Sequence, residues 1–251
     1  MMKLILNIVA LIRGLIVFGS MVGYMLVYGI TRIVKKHNAQ AAFGLRRFWI
    51  NTIGLPVLNI HVEKKGDIYN KPAIYIGNHR SFADPVVVCR YLDAFVIAKA
   101  EVAGYPIINK GAELTGVIWV NRNDKNSRKE TRSKLLEIWS QGYNVLVFPE
   151  GTVGTDPATL PFKMGTFIEA AQNNIPIVPF AIEFKSKKDL WVIKKFIPQY
   201  FYQFSKWSTY SKFYIGEPIF DNDPDSLKNK TQSWIDRNLQ EMQRNWSEVF
   251  I

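Results

Sequence analysis

Five short apolar runs set the terms on which this chain can fold: residues 73–76, 95–99, 116–120, 145–148 and 175–182. Each has the length of a strand rather than a helix, and polar residues follow the first four within two positions. The stretches between them are long enough for a helix in most cases. Buried strands alternating with helices imply an α/β sheet that is at least partly parallel. In such sheets the carboxyl ends of the strands are where binding and catalytic groups collect, so the turns after these runs are the places to look for chemistry.

The remaining elements follow from periodicity. Residues 58–63 alternate with period two and predict a strand in which His61 points away from Leu58, Ile60 and Val62. Helices are predicted from Val86, over 106–114, over 127–140 with Gly142 as its stop, over 161–171, and over 226–249, where Leu227, Thr231, Trp234, Leu239, Met242 and Trp246 recur at helical spacing. Residues 183–197 read as a lysine-rich strand region, and 213–215 as a short strand.

The amino-terminal 36 residues differ from the rest. Residues 14–31 carry no charge and span about 27 Å as a helix, close to the ~30 Å of a hydrocarbon core. A membrane-embedded helix, a monotopic anchor in one leaflet and a cleaved signal peptide all fit such a run. The last fits worst: the run is long, and no Ala-x-Ala site follows it. Arg32, Lys35 and Lys36 come immediately after, which suggests a cytoplasmic flank. Gly19 and Gly23 form a G-x-x-x-G, a weak packing signal. Residues 37–56, with Arg46, Arg47, Phe48 and Trp49 before Pro56, read as a second helix, either at the membrane interface or packed on the domain; His37 is expected to be exposed. This divides the chain into membrane-anchoring helices over 1–56 and an α/β domain over 57–251.

The turn after the first apolar run holds His79 and, five positions on, Asp84. A neutral imidazole accepts a proton near neutral pH. A carboxylate on its other nitrogen fixes the tautomer and stabilises the imidazolium. The competing explanation is structural: Asp84 before Pro85 is a suitable helix N-cap. Other chemistries lack their residues. The three histidines and single cysteine, Cys89, give no metal-ligand spacing and no intramolecular disulfide, and Cys89 in apolar surroundings reads as a buried thiol. Phosphate-binding glycine loops and a Gly-x-Ser-x-Gly elbow are absent. A net charge of +11 points to anionic partners. The basic residues are not interleaved with stacking aromatics around these turns, which argues against nucleic acid.

Four strand-end segments stand in a fixed order: Asn78, His79 and Asp84; residues 116–122, ending in Arg122; Phe148, Pro149, Glu150, Gly151 and Thr152; and residues 175–179. Together with Lys99 and Glu101, and with 161–165 around Lys163, this series closely resembles the glycerolipid acyltransferase family, which contains 1-acylglycerol-3-phosphate acyltransferase, over about residues 55–220. The resemblance implies a mixed, partly parallel sheet flanked by helices and a membrane-associated enzyme. It implies that His79, with Asp84, deprotonates a lysophospholipid hydroxyl, which attacks the thioester of acyl-CoA or acyl carrier protein without a covalent acyl-enzyme. By the same resemblance Arg122, Lys99, Lys163, Glu150, Gly151 and Thr152 form the phosphate and acceptor site. Neither metal nor cofactor is expected, the partners are membrane lipids, lysophosphatidic acid and the acyl donor, and the active site faces the cytoplasm. The chain departs from the family at Val153, where members often carry Arg, and at Phe180, where a small aliphatic is commoner. Acylation of another lyso-lipid or of glycerol 3-phosphate, and a basic membrane-tethered lipid-binding protein without turnover, are the alternatives.

Overall fold

The computed structural model describes residues 1–34, 38–99, 116–120, 125–244 and 246. Arg122, Glu101, His37 and the helix expected over 106–114 lie outside them. The described residues form seven strands: β1 (Ile60–Lys65), β2 (Ile74–Gly77), β3 (Ala94–Lys99), β4 (Val117–Val120), β5 (Asn144–Val147), β6 (Ile177–Phe184) and β7 (Thr209–Ile215). They form one sheet in the order β1-β7-β6-β2-β5-β3-β4. Every pairing is parallel except β6 with β7, so the expected mixed, partly parallel sheet is what the chain forms.

The sheet centre is buried, including all four residues of β2 and all eight of β6. One face packs on α4 (Asp84–Cys89) and the amino-terminal helices; the other on α5 (Lys125–Ser140), α6 (Gly165–Gln172) and α8 (Pro224–Gln243). Leu135 and Ile138 of α5, and Leu227, Ile235, Leu239 and Met242 of α8, supply that second face. At about 1.5–3 kcal/mol for each buried aliphatic or aromatic side chain, these contacts are what hold the layers together. Pro179 lies inside β6 rather than before it. Its carbonyl accepts from the Gly216 N–H at 2.8 Å, just past the end of β7, and the β6–β7 ladder begins at Phe180, so the bond its missing N–H cannot make falls at the end of that ladder.

The amino-terminal helices run α1 (Met2–Val34), α2 (Ala39–Trp49), a wider turn at Ile50–Gly54 and α3 (Leu55–Leu58). Pro56 does not stop the helical path: it falls in the first turn of α3, directly after the wider turn, which the Leu55 N–H closes onto the Ile50 carbonyl. Left-handed Asn59 ends the path. Arg46 donates to the carbonyls of Leu92 and Ala94, Arg47 pairs with Asp93, and Phe43 is buried, so α2 packs on the domain along that side.

The region read as a lysine-rich strand is not one. A tight turn (Lys187–Asp189) and irregular chain lead into a helix, α7 (Phe196–Phe204), which lies antiparallel along α1. The Phe18 and Phe196 rings meet edge-on at 5.8 Å, the Tyr200 hydroxyl donates to the Ala10 carbonyl at 2.9 Å, and Ser205 bonds Asn7 at 2.8 Å. Arg13, the one charge between Leu4 and Thr31 of α1, donates to the Lys206 and Trp207 carbonyls at 2.6 and 2.7 Å. Its guanidinium satisfies the chain leaving α7 instead of facing outward. The opposite side of α1 exposes Leu4, Ile8, Leu11 and Leu15, and the helix is long and apolar enough to cross a membrane.

Candidate active site

The turn between β2 and α4 is built around one carboxylate oxygen. Oδ2 of Asp84 accepts the Nδ1–H of His79 at 2.6 Å, the Arg80 N–H at 2.6 Å and the Ser81 N–H at 2.9 Å. Asp84 is fully buried and sits at the first position of α4, with Ala83 before it as the cap residue. Its side chain therefore reaches back into the turn rather than capping the helix that Pro85 opens. A carboxylate already accepting two backbone N–H groups is an acceptor toward imidazole as well, which places the ring proton on Nδ1 and the lone pair on Nε2. The His79 side chain is 20% exposed and stacks on Phe148 with centroids 4.4 Å apart. This is the arrangement a general base requires: one nitrogen held, the other available.

The neighbouring strands fix the rest of the turn. Asn78 bonds Ile182 in both directions, its amide donating to the carbonyl at 2.8 Å and its oxygen accepting the N–H at 2.9 Å, so its side chain extends the β2–β6 ladder past Gly77. At Gly77 an added Cβ would sit 2.1–2.4 Å from ring carbons of Phe180. The unusual Phe180 thus fills the space that glycine leaves, against Phe148 and Phe213 as well.

The β2–β5 register sets Ile76 opposite Val147, and the segment after β5 runs beside the His79 turn. Glu150 is buried there. Its Oε1 accepts the His79 N–H at 2.8 Å and its Oε2 accepts the Leu160 N–H at 2.9 Å. Burial pushes this carboxyl above its ordinary pKa, against the pull of those two backbone donors. Its carboxylate is thus committed to backbone that positions the histidine. Gly151 has φ +76° and donates its N–H to the Phe148 carbonyl at 3.2 Å, which closes a turn an L residue would strain. Thr152 is exposed.

Arg80, beside the histidine, is fully buried. It donates to the carbonyls of Gly154, Asp156 and Pro157 and pairs with Glu183 at 3.1 Å. It ties the loop after Glu150 to the His79 turn. Burial raises the Glu183 carboxyl, and Arg80 opposes that rise.

A cavity of about 700 Å³ opens beside Phe148 at this end of the sheet. Ile97, Val120, Leu135 and Val147 make its wall apolar; Arg132 and the exposed Lys163 supply positive charge. Arg132 also lies 3.3 Å from Glu169. Lys99 ends β3 opposite Val120 of β4, two residues before Arg122. The structure thus brings together His79, Asp84, Glu150, Gly151 and Lys163, with Lys99 at the same strand edge. Reading the sequence missed the roles of Asn78 and Arg80, although both lie in the motif, and missed Arg132, which on a charged helix carries no distinguishing signal. Among the described residues no cluster of histidine, cysteine or acidic groups could hold a metal ion. Cys89 is buried, and burial raises its thiol pKa.

Comparison with known proteins agrees with this geometry. The family described as Acyltransferase matches residues 59–183. The 1-acyl-sn-glycerol-3-phosphate acyltransferase of Saccharomyces cerevisiae is 31% identical over 157 residues, 61% of this chain and 52% of that protein. A lyso-ornithine lipid O-acyltransferase of Pseudomonas aeruginosa is 26% identical over 141 residues, 56% of this chain and 54% of that protein. The matches thus span about half the length of these curated relatives. The crystal structure of a 1-acyl-sn-glycerophosphate acyltransferase from Thermotoga maritima superposes with a TM-score of 0.71, covering 97% of both chains at 20% identity, and so shares the fold.

Proposed function

This chain belongs to the acyltransferase family, and from that premise we propose that it moves a fatty acyl group from an acyl thioester to the sn-2 hydroxyl of 1-acylglycerol-3-phosphate, giving phosphatidic acid. The observation that carries the reading is the His79 ring, pinned through Nδ1 to buried Asp84 and stacked on Phe148, which lines the cavity. Nε2 takes the acceptor's hydroxyl proton as the oxygen attacks the thioester carbonyl. The tetrahedral intermediate expels the thiolate, and the imidazolium returns the proton to sulfur. A thiol with pKa near ~8.5 leaves readily, so no covalent acyl-enzyme is needed. A positioned base contributes about 10²–10⁴-fold, and holding donor and acceptor together contributes much of the remainder.

Glu150 acts as a positioning residue for the His79 backbone, whereas Lys163, Lys99 and Arg122 are the groups proposed to meet phosphate, Arg122 by bidentate pairing. The apolar cavity wall suits an acyl chain. The apolar side of α1 anchors the enzyme to the bilayer that delivers the acceptor, with the site on the cytoplasmic side. The donor is acyl-CoA or acyl carrier protein, whose negative charge suits a chain of net charge +11. Val153, at the position where the family often has arginine, favours one second reading: an acceptor lyso-lipid with a different headgroup.

The test is to incubate purified protein in detergent with lysophosphatidic acid and either palmitoyl-CoA or palmitoyl-carrier protein, and to identify products by mass spectrometry. Phosphatidic acid is the expected product. Transfer only to other lyso-lipids would replace the acceptor, and transfer to none would leave a lipid-binding protein.

A further inference from the structure

The lysine-rich segment that precedes α7 has no part in the chemistry above. Between residues 185 and 207 the sequence carries six lysines and one acid, Asp189. Asp189 is buried and paired with Lys206, so it does not offset the surface charge. Lys185, Lys187, Lys188, Lys194 and Lys195 are all exposed. Interleaved with them are apolar side chains that the fold leaves uncovered: Val192 is 52% exposed, Ile197 67% and Trp207 56%.

Three features decide what this surface meets. Its positive charge selects an anionic partner. Its exposed aliphatic and tryptophan side chains suit a partner with an apolar interior below a charged surface, where tryptophan and lysine are favoured together. It also lies beside α1: α7 packs along that helix through Phe196 and Tyr200, and the other side of α1 is the exposed apolar side described above. An acidic protein would satisfy the charge but not the exposed aliphatic and tryptophan side chains.

We propose that residues 187–197 form a second membrane contact, in which Lys188, Lys194 and Lys195 engage the headgroups of an anionic bilayer while Val192 and Ile197 enter its interface. The contact lies directly behind the catalytic turn. The Trp191 N–H donates to the Arg80 carbonyl at 2.9 Å, and the Phe82 ring packs edge-on against Trp191 at 5.5 Å and Phe196 at 5.3 Å. Docking this segment therefore seats the His79 turn against the surface from which a lipid acceptor would arrive.

The test labels the full chain with an environment-sensitive nitrobenzoxadiazole at Val192→Cys, in a Cys89→Ala background, and reconstitutes it in vesicles. Asn229→Cys on α8 is the control site. At position 192, emission is expected to rise in vesicles of phosphatidylcholine with phosphatidylglycerol over phosphatidylcholine alone, and to fall as salt is raised. At position 229 it is expected to stay constant. Because each lysine near an anionic surface strengthens association by roughly fivefold, Lys194→Gln with Lys195→Gln should demand a severalfold higher anionic fraction for the same signal. Equal emission in both vesicle types, or a response to acidic carrier protein but not to lipid, would overturn the proposal. The readout needs no turnover, so it stands apart from the acyl-transfer assay in detergent.

Discussion

Replacing Asp84 with asparagine separates catalytic from structural use of this carboxylate. Three donors converge on Oδ2, and Oδ1 is buried with no partner among the described residues. An asparagine can place its amide oxygen at the Oδ2 position and its NH₂ where no donor is displaced, so the turn should survive with a loss of about 1–3 kcal/mol. What disappears is the negative charge facing the imidazolium. For unit charges about 4 Å apart at an effective dielectric near 20, that attraction is about 4 kcal/mol. At about 1.4 kcal/mol per decade this is near 10³-fold, and the 20% exposure of the ring lowers the expectation to about 10²–10³-fold in kcat. The assay is steady-state acyl transfer beside urea unfolding of both proteins. A kcat within tenfold of wild type, with the fold intact, would refute the reasoning and leave Asp84 as a residue that merely shapes the start of α4. Alanine is the poorer variant, since it strands three donors at once.

Three further predictions concern the frame of the site. Gly77→Ala should cost about 1–3 kcal/mol or more through overlap with Phe180, and adding Phe180→Val should recover part of it; a neutral thermal midpoint for the single variant would contradict the packing. Arg80→Lys cannot serve three carbonyls and Glu183 with one ammonium, so urea unfolding should show a loss of about 3–5 kcal/mol, and a loss under about 1 kcal/mol would argue against the clamp. Glu150→Gln sets an amide NH₂ against one of two backbone donors, costing about 1–3 kcal/mol. Because burial raises the Glu150 carboxyl, the native state binds more protons than the unfolded state above its ordinary value, so this group's contribution falls as pH rises. Wild type should therefore lose part of its advantage over the glutamine variant as pH rises above the ordinary glutamate value of about 4.3 in urea titrations, and a pH-independent difference would show that the carboxyl is not desolvated.

The strands were legible because a sheet with helices on both faces demands apolar runs, and each of the runs over 73–76, 95–99, 116–120 and 145–148 falls on a strand within a residue or two at either end. The His79–Asp84 contact was legible for a related reason: both partners lie in one turn. What stayed hidden depends on contacts distant in sequence. Arg80 finds its carbonyls and Glu183 at separations of 74 to 103 residues. Helix α7 was missed because Pro198 and the lysines before it obscure a helical period, yet Pro198 sits in the first turn, where no intrahelical acceptor is lost, and the apolar face it completes belongs to α1. Likewise, the sequence left the helix carrying Arg46 and Arg47 open between the membrane interface and the domain, and their observed partners are carbonyls and Asp93 of the domain. The extra bulk of Phe180 made sense only once Gly77 stood beneath it.

The most direct measurement is acyl transfer by wild type and His79→Ala, each with lysophosphatidic acid and palmitoyl-CoA or palmitoyl-carrier protein. The histidine is partly exposed, so the variant should fold, which circular dichroism checks. The account predicts phosphatidic acid and free thiol in equal amounts from wild type, and a rate at least ~10²-fold lower from the variant. Comparable turnover by both proteins would remove His79 from the reaction and contradict the central claim.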